Sequence, residues 1–509
     1  MFRKITHSLL LMMVFAIPAQ AQHTIYGLRF ENGFLTRKTT YNIGVGDTMS
    51  FDALRYYINH TDGTQERGNY ARVSEFYLHQ PPIALYRPNY MRNIDFTDES
   101  SQWCFARSME SDHFIVFWEA GFGLDPKKAA PNYSFDPADL LSRAEKAYQV
   151  YTTDLGFIDP ATSETLKTYK ITIFVHYTTT WRATGSGVDF KAGTLDVNPA
   201  AAKTLVTTAH EIGHTFQYMI SCDFEDPRNH GWQWGFDNSA TGLCAWWESC
   251  AQWQAYKVYP EKEFIESWET HIYLWSHLNL LHERMRYYNF FVQDYWCQLH
   301  GQDFIGRLWR ESERPEDPVE AYCRLTETSH DDFCRDMYDY ACRAITWDID
   351  ALRQTGSRRT DRFTTQMHAV EGDWWQVDSA TCPQNYGFNV IRLSVPTAGT
   401  EVCAEFQGMA GATGYRAIKT DKAGWRYGFV ALQEDGTRVY GPMNTEAAST
   451  ATFAVPANTV KLWFVVLGAP TEHWHHPWDM KDDNFTAADL ADDEQWPYRV
   501  RFTGTSRQP

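Results

Sequence analysis

The sequence predicts an α+β fold: a domain built from a mixed sheet plus helices, followed by a C-terminal β-sandwich. Three observations predict it. Residues 169–176 and 188–197 read as strands and lead into a helical stretch at 200–218 that carries His210, Glu211 and His214. Helical, aromatic-rich stretches then follow as far as about residue 350. From 373 to 502, short β-rich runs alternate with Gly, Asp and Asn turns.

Residues 1–21 read as a cleavable signal peptide. Arg3 and Lys4 precede a short apolar run, and Ala19-Gln20-Ala21 offers a small-x-small cleavage site, so the expected location is secreted, periplasmic or at the cell surface. Residues 22–107 carry aromatic and turn punctuation and are expected to be mostly β. Residues 108–365 form the expected catalytic domain and 366–509 the β-sandwich. Within the former, 111–118 reads as a buried strand, with His113 as a packing residue. Residues 136–154 read as an amphipathic helix, with Leu140, Leu141, Ala144, Ala147 and Val150 at helical spacing. A further helix is expected over 242–256, and more helices from 271 to 350.

The 509 residues suffice for about two or three domains, and 43% hydrophobic content is enough for their cores. A mean hydropathy of -0.48 excludes a polytopic membrane protein. The net charge of -18 argues against nucleic acid or an anionic membrane as partner, and no segment is expected to insert in a membrane. Ten cysteines in a chain expected to be exported favour some disulfides, with Cys222, Cys244 and Cys250 as staples of the loops around the motif. No Cys-x-x-Cys pair is present, which disfavours a zinc ribbon.

The chemistry centres on Ala209-His210-Glu211-Ile212-Gly213-His214-Thr215-Phe216-Gln217. Positions i and i+4 of a helix lie about 40° apart around the axis, so His210 and His214 can grip one tetrahedral ion. Glu211 falls to the side, placed to act as a general base on a water without being a ligand. A pattern this short also arises by chance, and the strands before it are what favour a metal site. A catalytic zinc takes three protein ligands and leaves one position for water. Glu225 lies in a polar loop and reads as a solvated acid. Glu248 follows Trp246-Trp247 on an expected helix, where a carboxylate needs a partner; zinc is the favoured one and a salt bridge the competitor. The tetrahedral oxyanion also needs a donor. Tyr287, Tyr288, His271, His277 and His282 are candidates, with Tyr288 preferred.

The motif, the later Trp-Trp-Glu-Ser-Cys-Ala-Gln-Trp and the closing Asp493-Glu-Gln-Trp-Pro-Tyr-Arg-Val-Arg-Phe resemble an exported bacterial family of zincin-like, mostly uncharacterised proteins, over roughly 108–505. His-Glu-x-Gly-His-x-x-Gln is also similar to the enhancin and mucin-directed peptidases, in which the acidic ligand usually lies closer to the second His. The resemblance implies a zincin-like, gluzincin-type metallopeptidase, with His210, His214 and Glu248 on Zn2+ and Glu211 as base. The lack of a nearby His-x-x-Gly-x-x-His extension sets it apart from metzincins.

Two remaining runs are read as surface loops: His473-Trp-His-His-Pro-Trp478, rather than a second metal site, and the acidic stretch 482–494, rather than a calcium loop. The expectation is an exported zinc metallopeptidase acting on protein or glycoprotein. The alternative is a glycan- or protein-binding surface module whose zincin core is structural or degenerate.

Overall fold

A computed structural model describes residues 15–16, 23–31, 34–43, 47–51, 55–69, 76–78, 85–96, 98–227, 231, 244–264, 269–474 and 493–508. Of the expected signal peptide only 15–16 are among them, and positions 475–492 of the two C-terminal runs lie outside. The described residues form an α+β fold of several sheets and helices in two compact units. Among them no helix is long and apolar enough to cross a membrane.

The first unit comprises Met1–Thr153 and Ile158–Pro227. It opens with β1 (Phe15–Ala16), β2 (His23–Glu31), β3 (Phe34–Ile43), β4 (Thr48–Phe51), β5 (Arg55–Asn59), β6 (Gln65–Asn69) and β7 (Phe76–Leu78), in sheets ordered β1-β4-β5-β6 and β3-β2-β7. The next sheet positions the motif. It holds β8 (Ser108–Glu110), β9 (Phe114–Trp118), β10 (Ile171–Val175), β11 (Ala183–Val188) and β12 (Ala192–Val197), in the order β11-β12-β10-β9-β8. β9, β10 and β12 run parallel, while β8 and β11 are antiparallel edges. Every residue of β9 and β10 is buried, which is why both read as unbroken apolar runs.

Four helices complete this unit: α1 (Pro137–Gln149), α2 (Glu164–Thr168), α3 (Pro199–Lys203) and α4 (Leu205–Cys222). Asp136 caps α1 through the amides of Ala138 and Asp139, and Asn198 caps α3 through Ala201. The single helix expected over 200–218 is therefore two. Thr204 takes an extended conformation between them, and its hydroxyl bonds back to Ala200 O. The strand expected over 188–197 is the second half of a hairpin. Asp189 and Phe190 turn it, both at positive φ, and Lys191 N bonds to Val188 O. Phe190 is held there by Tyr218, which stacks on its ring and accepts its amide. His113 packs as expected, stacked on Tyr148 at 3.7 Å with Nδ1 on Glu145.

The second unit, Asp154–Phe157 with Arg228–Pro509, begins with helices. These are α5 (Ala245–Val258), α6 (Glu269–Trp275), α7 (Phe291–His300), α8 (Phe304–Arg310), α9 (Pro318–Thr326) and α10 (His330–Ala344). Strands follow: β13 (Met367–Val370), β14 (Trp374–Val377), β15 (Phe388–Leu393), β16 (Glu401–Gly408), β17 (Trp425–Gln433), β18 (Arg438–Tyr440), β19 (Ala448–Ala454), β20 (Thr459–Gly468) and β21 (Tyr498–Thr503). They make two antiparallel sheets, β13-β14-β21-β16-β19 and β15-β20-β17-β18. One core cluster draws on both, from Val402 and Phe406 to Phe429, Phe464 and Trp496. Period-2 alternation in β16 and β19 puts one face into that core and the other into solvent.

Three expectations are corrected here. All ten cysteines are free thiols. Cys250 accepts a hydrogen bond from Trp309 Nε1 at 3.0 Å, and Cys222 donates to the Tyr218 carbonyl, so neither staples a loop. His473 is not on a surface loop, for its ring lies between Asp317 and Tyr386. At the end of the acidic stretch, Asp493 and Glu494 are buried rather than solvated. Asp493 accepts from Asn279 Nδ2 and Trp474 Nε1, and Glu494 from the amides of Ile418 and Lys419.

Candidate metal centre

α4 brings His210, Glu211 and His214 together in the first unit. All three are buried, at 7%, 6% and 4% exposure. The imidazoles of His210 and His214 are perpendicular, with centroids 4.6 Å apart, as one helical turn on a single face requires. His214 Nδ1 lies 2.8 Å from Gln217 Oε1. A carbonyl oxygen only accepts, so Nδ1 donates there, and Nε2 is the nitrogen through which this ring could hold a metal. Gln217 was legible at i+3 from the second His, though its role was not read from the sequence.

The opposite face of α4 is apolar and fully enclosed. Ile212 and Phe216 are 0% exposed, and Phe216 meets the rings of Tyr148 and Tyr151 edge-on. Each such side chain contributes about 1.5–3 kcal/mol. Polar bonds fix the helix along its axis. Tyr151 donates to Ala209 O at 2.7 Å, and Arg143 reaches Ala202 O and Thr208 Oγ1. Glycines bring the hairpin close: a Cβ on Gly185 would sit 1.9 Å from Glu211 O, and one on Gly187 2.1 Å from the Tyr218 ring. The sheet edge and the motif helix therefore touch backbone to backbone. Glu225 is exposed beyond the end of α4, as expected for a solvated acid.

Glu248 lies in the first turn of α5 in the second unit, half-buried rather than enclosed. An acid there is favoured by the positive end of the helix dipole. α5 is held rigidly: Ser249 Oγ accepts from Gln293, Cys250 from Trp309, and Trp253 Nε1 donates to Asp294. Tyr287 hydrogen-bonds the Glu248 carboxylate; its own burial, with that neighbouring charge, pushes the phenol well above its ordinary range. Tyr288, the residue preferred from sequence, instead stacks on His271 at 4.3 Å and meets Trp275 edge-on. His282 accepts the Arg284 amide, and burial lowers His277 to about 4.

In the same unit Asp317, Glu320 and His473 cluster closely enough to hold an ion. Their bonds point elsewhere. His473 gives Nε2 to Asp317 at 2.8 Å and Nδ1 to Tyr386, while the other Asp317 oxygen caps α9. With both ring nitrogens engaged by protein groups, this set is a buried ion pair.

Residues 81–509 match DUF6055, a family of unknown function. The chain belongs to that family. No curated protein matches it. DUF6055 membership thus spans the motif helix, α5 and both C-terminal sheets, and its description assigns no chemistry to them.

Proposed function

We propose that this DUF6055 protein is an exported zinc metallopeptidase of the gluzincin type, hydrolysing peptide bonds in protein or glycoprotein substrates. The observation that carries the reading is the pair of buried imidazoles on one face of α4, with Glu211 beside the first and Gln217 fixing the tautomer of the second. The donor set suits zinc. His210, His214 and Glu248 each offer one ligand atom, two nitrogens and a carboxylate oxygen. The expected zincin core rests on the mixed sheet with its antiparallel edge strand β11 beside α4. The expected β-sandwich rests on the two C-terminal sheets with one core. Export rests on the character of residues 1–21.

Bound zinc supplies Lewis acidity, which brings water deprotonation near neutral pH and polarises a substrate carbonyl. The chain does the rest. A Glu211 carboxylate oxygen accepts the proton that water gives up and later returns it to the leaving amine. The closed apolar face of α4 and its Tyr151 and Arg143 bonds hold that carboxylate in place.

The test is zinc content together with hydrolysis of casein and of a mucin-type glycoprotein. The purified chain is expected to carry one zinc and to lose activity to a chelator. Glu211→Gln should keep the metal and lose at least about 100-fold in turnover. A metal-free, inert chain would overturn the reading in favour of a binding module. Full activity in Glu211→Gln would remove the base.

A further inference from the structure

Helix α5 lacks a cap of its own: Cys244 at its N-cap makes no side-chain capping bond. Its first amides are satisfied from a distant segment instead. Glu283 Oε1 accepts from Cys244 N at 2.5 Å and from Ala245 N at 2.9 Å. Arg286 Nη1 donates to Cys244 Sγ and lies 3.6 Å from Glu283 Oε2. The Arg286 guanidinium sits 5.5 Å from the centre of the Tyr287 ring, and Tyr287 bonds Glu248 one turn into the helix. Residues 283–287 therefore grip the one turn of α5 that carries the acid.

We propose that Tyr287 is a positioning residue for the Glu248 carboxylate, with Glu283 and Arg286 fixing the helix end on which both act. The proposal rests on the reading of Glu248 as a metal ligand. A glutamate has three rotatable torsions and two equivalent oxygens. A phenol donating to one oxygen orders the side chain and leaves the other to face an ion. Tyr288, next in sequence, is turned onto His271 and serves as the control.

The test measures zinc affinity of the full chain, stripped of metal and titrated in competition with a chromophoric chelator. Tyr287→Phe should weaken binding about tenfold, while the metal-free variant melts with the metal-free wild type. Tyr287→Gln, which keeps an N–H donor, should recover part of the loss, and Tyr288→Phe should bind as wild type. Wild-type affinity in Tyr287→Phe alongside a loss in Glu248→Gln overturns the positioning role. An equal loss in Tyr287→Phe and Tyr288→Phe overturns it too. Wild-type affinity in Glu248→Gln sinks the parent reading, and the clamp with it.

Discussion

Gly185→Ala tests whether the hairpin sets the position of the motif helix. The added Cβ would lie 1.9 Å from Glu211 O and 2.6 Å from Glu211 C, against 3.4 Å for ordinary contact, a deficit of 1.5 Å. Both obstructing atoms are backbone, so no side chain can swing aside. Gly185 does not occupy the left-handed region, so alanine meets no conformational penalty there and the cost is steric alone. Overpacking of this kind costs about 2–3 kcal/mol, which for a unit of this size lowers Tm by roughly 4–12 °C. The displaced carbonyl belongs to the proposed base, and a shift of about 1 Å there should cut turnover on the order of 100-fold. Gly193→Ala is the graded control, because its Cβ meets the side chains of Thr215 at 2.9 Å and Met219 at 3.1 Å, and Met219 can move. Thermal melts and peptidase rates on both variants decide. The reasoning fails if Gly185→Ala melts with the wild type, or if Gly193→Ala falls further.

Three other outcomes are expected. Burial alone would lower His473, but the Asp317 carboxylate outweighs it and raises it, while His473 and the α9 amides hold Asp317 low despite its burial. The Asp317 contribution to stability is complete above about 3.9 and is lost as pH falls through its depressed value; the His473 contribution is complete below about 6.5 and is lost as pH rises through its raised value. His473→Ala should therefore cost about 3–5 kcal/mol near pH 5.5 in urea titrations, with the gap narrowing in more alkaline buffer. A gap that ignores pH would refute the pair. Burial pushes the Glu263 carboxyl up to about 8 despite nearby Lys257, and among the described residues neither oxygen has a hydrogen-bond partner. Its stability contribution is complete below the ordinary carboxylate range and lost as pH rises toward 8, so Glu263→Gln should gain on the wild type across that span. Parallel stability curves would count against this. Finally, the denatured chain should take up ten equivalents of a thiol reagent without reductant, and any shortfall would reinstate a disulfide.

What the sequence revealed and concealed follows from the range of the forces involved. The motif helix was legible because burial, periodicity and the i, i+4 imidazoles all lie within one turn of each other. The break at Thr204 was not, since an alanine-rich run reads as continuous helix. The hairpin was hidden twice over. Its turn is made by Asp189 and Phe190, held at positive φ by Tyr218 rather than by intrinsic preference. Its glycines at 185 and 187 answer to a helix packed against them, which no local pattern announces. His473 finds its partner 156 residues away, a pairing no local pattern encodes. Choosing between Tyr287 and Tyr288 needed a backbone direction that an irregular segment does not announce. An even cysteine count says nothing about whether two sulfurs ever meet.

Five of those sulfurs carry a chemical consequence. Burial pushes Cys222, Cys244, Cys297, Cys323 and Cys334 up to about 12. At neutral pH such thiols stay protonated far more than a free cysteine does, and it is the anion that reacts. These five thiols are thus slow to oxidise, protected by the surroundings that the fold gives them rather than by any reductant.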